Sequence, residues 1–210
     1  MIKISRSRLL GLLSTAWALA FCATASADPL TYHIHVDTST LVGTTGNLEF
    51  VLNAGLTGPV DFMTATFYNF TTDGGPFATV PPDFGNVVGS LPGPLTLDNA
   101  GPGADHAESI TFGSFFDVFV DVDVPSITPG AGSGSTLGLN VEDNSFSSLL
   151  TAPGEFLVLI ATDAGGNQSI INNNSLAADV QPVPEPASLL LLGSSLLGLL
   201  GCARRKRQRG

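Results

Sequence analysis

Residues 115–124 read Phe-Phe-Asp-Val-Phe-Val-Asp-Val-Asp-Val, an alternation with a period of two. Successive side chains of an extended strand point to opposite faces, so Asp117, Asp121 and Asp123 share one face and Phe116, Val118, Val120, Val122 and Val124 the other. A helix would scatter these carboxylates around its circumference. The same period governs residues 30–37, where Leu30, Tyr32, Ile34 and Val36 share one face and Thr31, His33, His35 and Asp37 the other. Further strands are predicted over residues 47–53, 60–70, 84–90, 95–98, 108–124, 136–142 and 155–162, with a weaker candidate at 175–180. Gly, Pro, Asn and Asp clusters such as Thr72-Asp73-Gly74-Gly75-Pro76 and Pro92-Gly93-Pro94 supply the turns. The expectation is an all-β fold: a single antiparallel sandwich or jelly-roll-like domain, with one β-barrel as the alternative.

Charge narrows what such a domain can bind. All eight Lys and Arg lie at residues 3–8 or 204–209, so none occurs from Leu9 to Ala203. Residues 28–179 hold 17 carboxylates and no Lys or Arg, a formal charge of −17. Nucleic acid is excluded as a partner, because its recognition begins with cations that neutralise phosphates. Both cysteines, Cys22 and Cys202, fall in terminal apolar segments, so the domain between them has no thiol for a disulfide, zinc or nucleophilic attack.

The two ends differ from the middle. Lys3, Arg6 and Arg8 precede an apolar run over residues 9–23, and Ala25-Ser26-Ala27 offers the small residues that signal peptidase reads. A helical signal peptide over residues 1–27, cleaved after Ala27, is predicted. After an acidic β domain over 28–180, the composition changes at Gln181-Pro182-Val183-Pro184-Glu185-Pro186-Ala187. An apolar run over 189–202 follows, and then Arg204-Arg205-Lys206-Arg207-Gln208-Arg209. Alternating prolines are expected to leave the strand ladder and stay extended and solvated. Residues 188–203 would make a helix about 24 Å long, just short of a hydrocarbon core of about 30 Å. Such a helix spans with help from its flanks, and the basic end stays cytoplasmic by the positive-inside rule.

Val183-Pro184-Glu185-Pro186-Ala187-Ser188, a Leu/Gly-rich span and terminal arginines together resemble the PEP-CTERM sorting signal, over residues 181–210. The resemblance implies recognition by an exosortase, an inner-membrane intermediate, and release to the cell surface or exterior of a bacterium that makes exopolysaccharide. Tyr32 to Ser39, followed by a Gly-rich turn and Leu48-Glu49-Phe50, is similar to an uncharacterised family of exported β domains, a likeness that implies no activity.

Candidate chemistry is sparse. No Gly-x-Ser-x-Gly elbow, His-Glu-x-x-His motif or mature-domain lysine or cysteine is present, so no enzyme and no catalytic residue is expected. His33 and His35 share a strand face and have a metal-chelating spacing, with Asp37 as a third ligand, the plainer reading being a solvated face. His106 reads as a loop residue beside Asp105 and Glu108. Asp117, Asp121 and Asp123 are candidates for calcium, the one cofactor considered, against the plainer reading of an acidic face that keeps an apolar strand soluble. The expected function is a structural component of the surface or an exopolysaccharide-associated, biofilm-type matrix. The alternative is a lectin-like carbohydrate- or calcium-binding module using loop aromatics and carboxylates around residues 73–84, and a hydrolase comes third.

Overall fold

A computed structural model describes residues 30–53, 62–101, 103–124, 134–163 and 167–184. Its strands are β1 (Leu30–Asp37), β2 (Thr45–Asn53), β3 (Thr64–Thr72), β4 (Gly75–Phe84), β5 (Asn86–Gly89) and β6 (Leu95–Asp98). They continue with β7 (Ala104–Thr111), β8 (Phe115–Asp123), β9 (Thr136–Asp143), β10 (Val158–Thr162), β11 (Gln168–Asn172) and β12 (Ala178–Val183). All the pairings are antiparallel, in two six-stranded sheets ordered β12-β1-β8-β3-β6-β5 and β11-β10-β9-β2-β7-β4. We call these the first and second sheets. The nested pairs β1·β8, β2·β7 and β3·β6 are those of a long hairpin rolled across two sheets, the jelly-roll pattern.

The period-two alternation makes the core. Tyr32, Ile34 and Val36 of β1, Phe116, Val118, Val120 and Val122 of β8 and Ala65 and Phe67 of β3 are buried on one side of the first sheet. Leu48, Phe50 and Leu52 of β2 with Leu137, Leu139 and Val141 of β9 answer them from the second. The Phe50 and Phe67 rings meet edge to face across the sheets, 4.6 Å between centroids. Aromatic pairs in that geometry add to the burial of their area.

The predicted long strand over 108–124 is in fact two, one in each sheet. Gly113 sits where a Cβ would collide with Asp73 and the Gly74 backbone, and Asp73 Oδ1 accepts the Ser114 and Phe115 amides at 2.7 and 3.3 Å. These contacts turn the chain from β7 into β8. The segment read as a strand over 84–90 divides at Gly85 into β4 and β5, and β11 had no sequence counterpart. Strand β12 runs to Val183, so the boundary expected at 180 falls inside it. Pro182 lies opposite Tyr32, and an edge strand accepts proline because one of its sides carries no ladder.

The helices expected over the signal peptide and the apolar tail fall outside the described residues. Among the described residues no helix is long and apolar enough to cross a membrane.

Candidate functional site

The outer face of the first sheet collects most residues that the sequence singled out. His33 pairs with Phe119 across β1 and β8, and Tyr68 pairs with Phe119 across β3 and β8. The three rings stand side by side, with centroids 4.7 Å (His33–Phe119) and 5.9 Å (Tyr68–Phe119) apart. Asp117 Oδ1 lies 2.9 Å from His33 Nε2 and 3.0 Å from His35 Nδ1, so one carboxylate oxygen holds both imidazoles. Asp121 Oδ1 accepts Thr31 Oγ1–H at 2.6 Å and the Tyr68 hydroxyl at 3.0 Å. Burial first, and then the Asp121 hydrogen bond and charge, hold the Tyr68 phenol above its ordinary pKa.

This arrangement redistributes the proposed metal ligands. Asp37, expected beside the two histidines, instead accepts the Ser39 amide at 2.8 Å, and hydrogen bonding from Ser39 keeps its carboxyl below the usual range. Asp117, Asp121 and Asp123 do share one face, but Asp117 and Asp121 are occupied by different neighbours. Among the described residues no three His, Cys, Asp or Glu side chains form a ready-made metal cage. The region around residues 73–84, read as a binding loop, is largely strand β4, with Phe77 packed on the core and Phe84 54% exposed.

His106 occupies the interior and not a loop. It lies opposite Phe50 on β7, on the face that meets the first sheet. Its Nδ1 is 2.8 Å from Asp83 Oδ1 and its Nε2 is 3.0 Å from Glu108 Oε1. Burial pushes its pKa down, but the hydrogen bonds and charges of Glu108 and Asp83 outweigh that, and the net shift is upward. The imidazole is fully buried, while Asp83 at one end of the cluster reaches the surface.

Sequence reasoning missed a third cluster, on the outer face of the second sheet. Residues 144–157 fold back over β9, whose outer face is therefore also buried. The Phe156 ring lies over Gly138 and leaves no room for a Cβ there. Under this cover Glu49, Asn140, Glu142, Phe146, Ser148 and Glu155 help to line a cavity of about 120 Å³. Asn140 Nδ2 donates to Glu142 Oε1 at 2.8 Å and to Ser148 Oγ at 2.9 Å. Burial and then the Glu142 and Asp105 charges push the Glu49 carboxyl up to about 7, and burial also raises Glu142. A glycine inside a strand, Gly138, was the one sequence signal of a close overlay here.

The tail leaves the domain at the edge of the first sheet. Val183 still pairs with Thr31, and Pro184 is the last described residue. A family model described as the PEP-CTERM protein-sorting motif matches residues 182–206. The chain carries a PEP-CTERM sorting motif. The match takes in Val183, Pro184, Glu185, Pro186, Ala187 and Ser188 and reaches Arg204, Arg205 and Lys206, while Arg207 and Arg209 lie beyond it. It marks the chain as an exported exosortase substrate, and it begins inside β12. Glu185 onward, like Ala25 and Ala27 of the predicted signal cleavage, lies outside the described residues. No curated protein and no solved structure matches the chain.

Proposed function

We propose that this PEP-CTERM protein delivers a stiff acidic β-sandwich to the cell surface or extracellular matrix, where its role is structural and not enzymatic. Signal peptidase cuts after Ala27, and the apolar run over 189–202 holds the chain in the inner membrane with Arg204 to Arg209 in the cytoplasm. Exosortase then processes the tail near Pro184 to Ala187. The observation that carries this reading is that the sorting motif begins inside β12, so the β domain runs directly into the sorting signal. The absence of Lys and Arg from Leu9 to Ala203 suits a partner that is not a polyanion, such as a neutral exopolysaccharide.

The exposed parts of the His33–Phe119–Tyr68 row, with Asp117 and Asp121 beside it, favour a second reading: a glycan-binding face. Rings and carboxylates alternating on a flat sheet are a surface on which sugar C–H faces and hydroxyls both find partners.

The deciding experiment is the intact mass of the protein recovered outside its host, with and without the host's exosortase. A mass running from Asp28 to between Pro184 and Ala187, lost in the mutant, supports the reading. A mass that keeps Arg204 to Gly210 and is found only in membranes overturns it.

A further inference from the structure

Glu49 on β2 lies opposite Asn140 on β9, and Glu142 lies opposite Asn47, so the two glutamates are diagonal neighbours on one face. Both line the same cavity. Glu142 is 5% exposed; its Oε1 accepts Asn140 Nδ2, while its Oε2 is buried with no hydrogen-bond donor. A buried carboxylate oxygen without a donor costs free energy, and a second carboxylate alongside makes the cost larger. A proton, a water or a cation would relieve the pair, and of these a cation offsets both charges. No Lys or Arg occurs from Leu9 to Ala203 and no histidine lines the cavity, while its rim residues Phe146, Gly154 and Glu155 are exposed.

We propose that this cavity is a calcium site, with the Glu49 and Glu142 carboxylates as its anchors and Ser148 Oγ and Glu155 at its mouth. The carboxylates and Ser148 Oγ offer oxygen, the preference of a hard cation that accepts six to eight ligands in flexible geometry, while Asn140 Nδ2 holds Glu142 Oε1 and Ser148 Oγ in place. Imidazole and thiolate, which would favour a transition metal, do not line the cavity. The space left over holds water ligands. Two carboxylates with weakly held company place the affinity in the class of extracellular modules, about 0.1–1 mM, matched to calcium outside cells and not inside them. The site therefore fills after export.

Calcium and the proton compete for the same oxygens. The groups that bear on the pair are Asp105 from β7, Asp143 from β9 and Glu155 from the covering segment, all acidic. Each strengthens attraction for the ion once the pair is ionised.

The test uses the full exported protein in thermal melts with chelator, with millimolar CaCl₂, and with NaCl of equal ionic strength, at about pH 5 and about pH 8. Calcium is expected to raise Tm over matched NaCl by roughly 3–6 °C at the higher pH and by less at the lower, where protons compete for carboxylate oxygens. Glu49→Gln supplies an amide donor to Glu142, so this variant should melt higher than wild type in chelator and lose the calcium increment. Glu142→Gln should lose the increment as well. A calcium effect no larger than that of NaCl overturns the proposal, leaving a proton-bridged pair. An increment that survives intact in Glu49→Gln also overturns it, by placing the ion elsewhere.

Discussion

His106 Nε2 lies 3.0 Å from Glu108 Oε1, two residues along the same strand and inside the sandwich. With Asp83 at its other nitrogen, the imidazole can donate to both carboxylates only when it is protonated. No Lys or Arg occurs from Leu9 to Ala203, so a protonated His106 is the cation with which these two carboxylates can pair. The carboxylates keep it so: their hydrogen bonds and charges raise its pKa against the opposing effect of burial.

Stability should therefore fall as pH rises through neutrality. His106 has a folded pKa above its ordinary 6.5, so its contribution is complete below that value and is lost as pH rises through the raised one. Glu49 works in the same direction. Its carboxyl moves from 4.5 to about 7, so between those values the folded chain binds more protons than the unfolded chain. In chelator, Tm should be several degrees higher near pH 5.5 than near pH 8.5; a flat or rising profile would refute the linkage.

The interior and exterior histidine clusters should respond differently to substitution. His106→Gln removes the cation beside the buried Glu108 and should cost on the order of 3 kcal/mol in urea unfolding. Asp117→Asn leaves His33 and His35 half-exposed, where water replaces the lost contact, and should cost less than about 1 kcal/mol. Equal costs would mean that the outer cluster is also structural in the way His106 is.

Gly138→Ala tests the cover over β9. The new Cβ would lie 2.6 Å from Phe156 Cδ1, too close for carbon atoms, and the ring must move with the segment it anchors. A loss of about 1–3 kcal/mol is expected, with faster proteolysis within residues 144–157. Phe156→Ala in the same background should recover part of the loss, because it removes the clash.

Much of this was legible where one face is apolar and the other wet. β1, β6 and β8 follow the period-two reading closely, and the acidic and histidine residues of β1 and β8 do lie outside. What the period could not show is a change of sheet. Residues 108–124 keep a strand-like composition through Phe112-Gly113-Ser114, and it is the distant Asp73 that turns the chain there. His106 was placed among loop residues because Gly101-Pro102-Gly103 precedes it, yet the partner that admits a histidine to the core, Asp83, is 23 residues away. Glu49 and Glu142 looked like ordinary outward carboxylates, since no local pattern tells that residues 144–157 will lie over them.

The last strand joins sorting to folding, and truncation should locate the junction. Ala178 is buried, Val180 packs against the core beside Ile34, and Asn172 Nδ2 donates to the Ala178 carbonyl at 2.6 Å, tying β12 to the edge of the second sheet. Cutting after Pro184 leaves all of these contacts in place, so the processed domain should melt within about 1 °C of the intact chain, the ordinary size of a surface change. Ending the chain at Ala177 removes the strand, bares the β1 edge and should cost on the order of 2–3 kcal/mol in urea unfolding. The exposed edge should also drive self-association, visible by sedimentation, because an unpaired ladder is a template for another chain. If the shorter chain is as stable and as monomeric as the longer one, β12 belongs to the tail and not to the domain.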